Sequence, residues 1–276
     1  IETGSDRGQE RRLEALRIPM HPVQRVMEPG MHDHVTNGGS PVPTGRKTGI
    51  LVHGYNLNAG QWESVVWGAP RDRAGRVPVG VFVALCEQAD VMVFGSGASR
   101  KDGLLESEST ARLLWERFDE LAGFSVFGNY LHELKHPPSA GRFRKRIESI
   151  LRLDTDSRNT RDEIAHAGEI FVDLDVERVI LVSSPTHLPR CLRDACSIYG
   201  DNRKMSHLRQ ELYATPSVTG YPGYSADDVA IFEPPHRPDR PGSNLSRLVA
   251  RVHDLPDNAR ERFARRMEDL LREFRV

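Results

Sequence analysis

The sequence predicts an α/β protein: a doubly wound, mainly parallel sheet in a three-layer, Rossmann-like sandwich. Two observations carry this prediction. Short, continuously apolar segments such as ILVH and VERVILVSS are typical of strands buried on both faces. Segments with apolar residues at helical spacing alternate with these strands along the chain. Alternating strands and helices with right-handed crossovers give a parallel sheet covered by helices on both faces.

Three buried strands are predicted from continuous apolar runs, and two more from shorter runs. In chain order the segments are ILVH, DVMVFGSG, VERVILVSS, ELYAT and DVAIF. The helices between and around them are predicted by apolar residues at spacings of three and four. Their segments are VPVGVFVALCEQA, STARLLWERFDEL, SRNTRDEIAHAGEIFVDL and HLPRCLRDACSIYG. Thr160 and Glu163 have the spacing of a capping box, and Thr186 and Pro189 fit the N-cap and first turn of the last helix.

The chain is expected to contain one ordered domain and one extension. Residues 1–47 are rich in Pro, Gly, His and Asn and predict a largely irregular N-terminal extension. Residues 48–276 predict a single Rossmann-like domain, with an insertion near 119–150 and a helical segment over 243–276. An apolar stripe on that last segment is expected to be buried; its members are Phe263, Met267, Leu270, Leu271 and Phe274.

Composition excludes some classes of partner. The formal net charge is −1, with 38 basic and 39 acidic side chains, so no global field favours nucleic acid. No apolar run approaches the roughly 20 residues that cross a bilayer, and no secretory leader is expected. The three cysteines form no CxxC motif and are expected to be reduced in a cytoplasmic protein. The oligomeric state is left open.

Three polar loops follow three of the predicted strands, where parallel sheets bind ligands. They are HGYN (53–56), GSGASRKDG (95–103) and SSPTH (183–187). Each is rich in small and hydrogen-bonding residues, and backbone N–H groups of the Gly-rich loop suit a phosphate. From the first two loops we predict as ligand-binding residues His53, Gly54, Asn56, Gly95, Ser96, Gly97 and Ser99.

The stretch GILVHGYNLNAGQWE also fits the oxyanion loop of an α/β-hydrolase. Such an enzyme needs a G-x-S-x-G nucleophile elbow between a strand and a helix. The nearest approach is Gly97-Ala98-Ser99-Arg100-Lys101, in which Lys101 replaces the second glycine. Ser99 and Ser184 are the nucleophile candidates for this esterase alternative. The absence of a complete G-x-S-x-G elbow disfavours it.

Two motifs resemble the hallmarks of the YdcF/SanA/ElyC-like family. VILVSSPTHLPRC matches the family's strand, V-[ST]-S, His and Arg pattern, and LDTDSRNTRDE matches its acidic-x-x-S-x-N-T pattern. A Glu at the start of the helix after the second strand, Glu106 or Glu108, also agrees. The resemblance covers about residues 48–200. The matched residues are Asp154, Ser157, Asn159, Thr160, Ser183, Ser184, His187 and Arg190.

The chain departs from that family in three places. His53 and its neighbours replace a Gly-rich first loop, Glu163 replaces an Asn, and 119–150 is longer than expected. The resemblance implies a Rossmann-like domain of poorly settled activity that takes a nucleoside-type ligand such as S-adenosylmethionine.

The matched residues suit acid–base chemistry on an anion. His187 can act as general acid or base near neutral pH. Arg190, three residues later on the same helical turn, can hold an anion with two parallel hydrogen bonds. Asp154 can accept a hydrogen bond from a ribose hydroxyl or orient His187, and Glu108 completes the predicted catalytic set. The alternative role of Thr186, Ser157 and Asn159 is simple helix capping.

No metal site is predicted. HELKH, residues 132–136, has the spacing of a zincin motif, but Pro137 and Pro138 end any helix at once. The run GRFRKRI, 141–147, predicts a solvated helix face or a lid over an anionic ligand.

The prediction is an enzyme, a hydrolase or transferase, that acts on a phosphate- or nucleotide-bearing small molecule. The alternatives are a non-catalytic nucleotide-binding module and the serine esterase.

Overall fold

A computed structural model describes residues 45–128, 139–223, 252 and 255–274. The chain divides into two compact units, 1–219 and 220–276. The first unit contains the α/β core and all the predicted site residues. The HELKH segment, the DVAIF segment and residues 1–44 of the predicted N-terminal extension lie outside the described residues.

The first unit is built on a five-stranded, all-parallel sheet. Its strands are β1 (Thr48–Val52), β2 (Val91–Phe94), β3 (Leu151–Leu153), β4 (Arg178–Ser183) and β5 (Leu212–Pro216). They lie in the order β3-β2-β1-β4-β5, so β1 is central and β2 and β4 are its neighbours. The carboxyl ends of these three strands therefore meet at one edge of the sheet. The parallel α/β fold is confirmed.

Six of the described helices accompany the sheet, and one lies in the second unit. They are α1 (Trp62–Val66), α2 (Arg76–Cys86), α3 (Glu106–Glu116), α4 (Ala140–Ile150), α5 (Thr160–Asp173), α6 (Leu188–Asp201) and α7 (Asp257–Glu273). Short 3₁₀ turns follow α3 and α6, at Phe118–Gly123 and Ser206–Arg209. Two-residue antiparallel ribbons join Gly68–Ala69 to Arg73–Ala74 and Arg100–Lys101 to Leu104–Leu105.

Alternate side chains of the buried strands serve two separate cores, as expected for a sheet covered on both faces. Ile50 and Val52 of β1 pack with α2, α3 and α4 on one face. Leu51 packs with α5 and α6 on the other face. The three-layer arrangement follows directly from this alternation.

The structure differs from the sequence-based prediction at two elements, the edge strand β3 and the apolar stripe on α7, whereas the GRFRKRI run lies on a largely solvated helix as predicted. The segment 119–150 ends in helix α4, and the edge strand β3 follows it directly. The sequence did not predict β3, because its three residues, LRL, are too few and too exposed to give an apolar run. Helix α4 contains the GRFRKRI run, with Ile147 buried and the arginines largely exposed. The stripe on α7 is not buried, since its five members are 37–71% exposed: Phe263, Met267, Leu270, Leu271 and Phe274.

Candidate functional site

The HGYN and GSGASRKDG loops and the loop after β3 lie against one another at the carboxyl edge of the sheet, and glycines permit these contacts. A Cβ on Gly54 would lie 2.7 Å from the carbonyl oxygen of Gly95, and one on Gly97 would overlap the carbonyl oxygen of Thr155. The Gly95–Ser96 peptide is cis. These glycines therefore allow the backbones of neighbouring loops to approach closely. The sequence predicted a different role for the Gly-rich loop, that of binding a phosphate.

His53, at the end of β1, is bound to Glu163 of helix α5. The two atoms His53 Nδ1 and Glu163 Oε2 are 2.5 Å apart, and Glu163 Oε1 accepts a hydrogen bond of 2.8 Å from the Gly54 amide. Both side chains are almost completely buried. Glu163 therefore does not form the predicted capping box; Asn159 caps α5 by accepting bonds from the Arg161 and Asp162 amides. Both members of the pair are positions where the chain departs from the family pattern.

His187 lies beside His53 and connects two helix starts. Its Nδ1 is 3.0 Å from Ser183 Oγ, and its Nε2 is 3.3 Å from Thr160 Oγ1, the first residue of α5. A neutral imidazole offers one donor and one acceptor, so the two hydroxyls match it. The ring centroids of His53 and His187 are 5.8 Å apart. His187 itself, rather than Thr186, occupies the N-cap position of α6, and Pro189 lies in the first turn as predicted.

The two histidines have opposite protonation behaviour. Burial lowers the pKa of His53, but the charges and hydrogen-bonding capacity of Cys191 and Glu163 outweigh burial and raise it to about 10. Burial, and then the positive charges of Arg76, His53 and Arg190, lower the pKa of His187 to about 2. At neutral pH His53 is therefore an imidazolium and His187 a neutral imidazole.

Cys191 of α6 lies between these rings and is fully buried. Its sulfur is 3.5 Å from His187 Nδ1. His53 Nε2 makes no hydrogen bond of normal geometry within the described part of the chain, although the Cys191 sulfur is close enough to raise the pKa of His53. The sequence predicted this cysteine only as a reduced thiol.

Arg76, the first residue of α2, is fully buried and reaches the same group of side chains, His53, His187 and Cys191, which we call the histidine centre. Its Nε donates 3.0 Å to Ser184 Oγ, and its Nη1 donates to the carbonyl oxygens of His53 and Gly54. Arg76 was not among the predicted site residues. The available signal was a lone cation at the start of an otherwise apolar helix.

The loop after β2 is held by Glu106 rather than by Glu108. Glu106 Oε2 accepts bonds of 3.0 Å from Ser96 Oγ and 3.1 Å from the Ser99 amide. Burial raises the pKa of Glu106, and the bonds from Ser96 and Ser99 only partly oppose that rise. Glu108 accepts a 2.7 Å bond from the Leu105 amide at the start of α3, which is a helix-capping contact.

The acidic motif forms its own cluster at the end of β3. Asp154 Oδ1 accepts 3.1 Å bonds from the Asp156 and Ser157 amides and lies 3.3 Å from His166 Nδ1. Asp154 Oδ2 and Ser157 Oγ are buried without a hydrogen-bond partner in the described structure. The contacts of Asp154 are with His166, so its predicted role of orienting His187 gains no support from these distances.

The remaining predicted residues lie at the rim of the histidine centre. Asn56, Asn159 and Arg190 are exposed, and Gly97 and Ser99 are partly buried. Ser99 Oγ accepts a 2.9 Å bond from the Leu57 amide. The structure thus brings His53, His187, Ser183, Ser184 and Thr160 together and leaves the Asp154 cluster beside them.

A separate groove lies at the opposite edge of the sheet, between the C-terminal ends of α5 and α6. It is lined by Glu169, Val172, Asp173, Asn202, Lys204 and Met205. None of the predicted site residues lines it. Among the described residues no His, Cys, Asp and Glu side chains are grouped as metal ligands, and no described helix is long and apolar enough to cross a membrane.

Comparison of the chain with protein-family models, with curated proteins and with solved structures finds no match. The resemblance to the YdcF/SanA/ElyC-like family therefore stays a prediction from the two quoted motifs. What the fold and the geometry support is a parallel α/β sheet with a buried, polar, histidine-containing centre at its carboxyl edge.

Proposed function

We propose that this protein is an enzyme that performs acid–base chemistry on a phosphate- or nucleotide-bearing small molecule. The observation that carries the proposal is the pair of histidines at the ends of the neighbouring strands β1 and β4. One is bound to a buried carboxylate and the other to two hydroxyls. Titratable groups whose environments drive their pKa values apart are characteristic of acid–base pairs in enzymes.

In this proposal His187 accepts a proton and His53 supplies positive charge. His187 is only partly buried and has neighbouring hydroxyls through which a proton can move. His53 is oriented through Nδ1 by Glu163, which leaves Nε2 as the donor. The roles follow the general logic of a base oriented and charged by its neighbours.

The positive charges around His187 favour an anionic substrate. Arg76 and Arg190 both lower the pKa of His187. A phosphate bound beside them would cancel part of their charge, and this would raise the pKa of His187 toward the range of an effective base. Substrate binding and activation of the base are coupled in this scheme, and α6 presents its N-terminal end to the same anion.

A thermal-shift screen followed by a turnover assay tests the proposal. Wild type and the variants His187→Gln and Arg190→Gln are compared with nucleotides, sugar nucleotides, prenyl phosphates and S-adenosylmethionine. We expect at least one phosphate-bearing compound to raise the Tm of wild type, because ligands that bind the folded state stabilise it. Arg190→Gln should weaken that shift. His187→Gln should keep it and lose roughly 100-fold or more in turnover, measured by phosphorus NMR.

Three outcomes discriminate the alternatives. Undiminished turnover in His187→Gln contradicts the assigned base. A wild-type Tm shift without turnover supports the nucleotide-binding module. Labelling of Ser99 or Ser184 by a fluorophosphonate supports the esterase, which the geometry disfavours because Ser184 Oγ contacts Arg76 and Ser99 Oγ contacts the Leu57 amide. The loop after β2 also forms the Arg100–Lys101 ribbon instead of turning directly into a helix, as a nucleophile elbow does.

A further inference from the structure

Three arginines gather around one buried carboxylate, that of Asp194 in α6. Arg193 Nη2 lies 2.8 Å from Asp194 Oδ1, Arg161 Nη1 3.6 Å from the same oxygen, and Arg190 Nε 3.6 Å from Oδ2. The Asp194 side chain is 1% exposed, whereas each arginine side chain is 55–56% exposed. The carboxylate therefore holds Arg193 by hydrogen bonds and keeps Arg161 and Arg190 within ion-pair distance, while more than half of each arginine side chain meets water.

The cluster carries more positive charge than the buried carboxylate requires. One arginine balances one aspartate, so three arginines against one carboxylate leave two positive charges in surplus. Asp162, next to Arg161 in α5, accepts bonds from the Arg158 amide and the Asn159 side chain, and among the described residues it forms no ion pair with these arginines. Like charges brought together at a surface repel one another, and a bound anion relieves that repulsion. Guanidinium groups are also the preferred side-chain partners of phosphate.

The cluster lies at the same edge of the sheet as the histidines. Helices α5 and α6 both begin at this edge, and the 3.3 Å contact between Thr160 and His187 joins their first turns. Arg161 follows Thr160 directly, and Arg190 is three residues beyond His187. Asp194 is seven residues beyond His187, which corresponds to roughly 10 Å along a helix. A single extended ligand can span that distance.

We propose that Arg161, Arg190 and Arg193, organised by Asp194, form a second anion subsite that binds the diphosphate of the substrate while its reacting group extends to His187. This inference rests on the proposed function and narrows its substrate class to compounds with two or more linked phosphoryl groups. Arg161 and Arg193 match neither sequence motif.

Binding of inorganic pyrophosphate and orthophosphate, measured by calorimetry at one fixed ionic strength, tests the subsite. The subsite variant is Arg161→Gln/Arg193→Gln. The matched control is Arg112→Gln/Arg144→Gln, which removes the same charge from partly exposed arginines on α3 and α4, on the other face of the sheet. We expect wild type and control to bind pyrophosphate more tightly than orthophosphate, and the subsite variant to lose about tenfold or more in pyrophosphate affinity.

Equal pyrophosphate affinity in the subsite variant and wild type would overturn the subsite, as would an equal loss in the control. All the substituted side chains are substantially exposed, so the variants should fold, and unchanged far-UV circular dichroism verifies it. The His187→Gln variant separates the two proposals. If His187→Gln loses turnover but Arg161→Gln/Arg193→Gln binds pyrophosphate as tightly as wild type, only the subsite is wrong. If Arg161→Gln/Arg193→Gln loses pyrophosphate affinity but His187→Gln retains turnover, only the assigned function is wrong.

Discussion

Two buried carboxylates on the neighbouring helices α5 and α6 are neutralised in different ways. Glu163 of α5 is bound to partners that are themselves buried, the His53 ring and the Gly54 amide. Asp194 of α6 is bound to arginines that are more than half exposed. A partner that is buried cannot turn to water when the carboxylate is lost, whereas an exposed arginine can. The first carboxylate should therefore matter for folding and the second mainly for the charge presented to a ligand.

The largest expected effect is that of Glu163→Ala. It leaves an uncompensated imidazolium at His53 and an unpaired amide at Gly54, so the free energy of unfolding should fall by about 3–5 kcal/mol. Urea unfolding monitored by circular dichroism measures this change. Glu116→Ala, which removes an exposed partner of Arg112, should cost at most about 0.5 kcal/mol. A similar small cost for both variants would show that Glu163 is not a folding element.

The pH dependence of stability should show two limbs, one for each histidine. The pKa of His53, which faces Glu163, Cys191 and His187, is raised to about 10 in the folded state. Its stabilisation is therefore complete below pH 6.5 and is lost as pH rises toward 10. The pKa of His187 is lowered to about 2 by burial, Arg76, His53 and Arg190. The unfolded chain takes up that proton first, so stability falls as pH drops below 6.5.

Urea unfolding across pH 4.5 to 10 can assign the limbs. Each should amount to a few kcal/mol, since one pKa unit corresponds to about 1.4 kcal/mol and each limb covers roughly two units or more. His53→Gln should abolish the alkaline limb and also reduce the acidic limb, because the charge of His53 is one cause of the lowered pKa of His187. His187→Gln should flatten only the acidic limb, because His187 is not among the causes of the raised pKa of His53. A profile that neither substitution changes would contradict the opposite protonation of the two rings.

Substitution of Gly95 tests how tightly the Glu163 carboxylate is enclosed. A Cβ on Gly95 would overlap Glu163 Oε1, the oxygen that accepts the bond from the Gly54 amide. Gly95→Ala should therefore cost about 1–3 kcal/mol through overpacking. Gly60→Ala is the control, because nothing lies within 4 Å of the added Cβ there, and its effect on Tm should be close to zero. Equal Tm values for the two variants would mean that the loop adjusts without strain.

The sequence predicted the parallel sheet because β1, β2 and β4 are continuously apolar, as strands buried on both faces must be. It also identified the strand ends where polar residues meet. It did not reveal the pairing of His53 with Glu163, because residues 110 positions apart are brought together only by strand order. Glu163 has the spacing of a capping residue, and local spacing does not show that a side chain turns toward the sheet.

Arg76 and Asp194 were missed for a related reason. Charged residues in helices are usually solvated, and nothing local distinguishes a buried charge from an exposed one. The short strand β3 was missed because an edge strand needs no apolar run. The motifs therefore located the candidate site, and only the packing of helices against the sheet shows which charges are buried there.

The smallest expected effect on stability is that of Asp194→Asn, and it separates the two carboxylates most directly. Asparagine keeps the size of the side chain, and the three arginines can turn to water once the charge is lost. The free energy of unfolding should therefore fall by only about 1 kcal/mol, the usual worth of partly exposed hydrogen bonds and ion pairs. The substitution adds one unit of net positive charge to the cluster, but it also removes the anchor shared by the three arginines. We expect the lost anchor to outweigh the added charge, so pyrophosphate affinity should fall. A stability loss as large as that of Glu163→Ala, with unchanged pyrophosphate binding, would mean that Asp194 and its arginines serve folding rather than recognition.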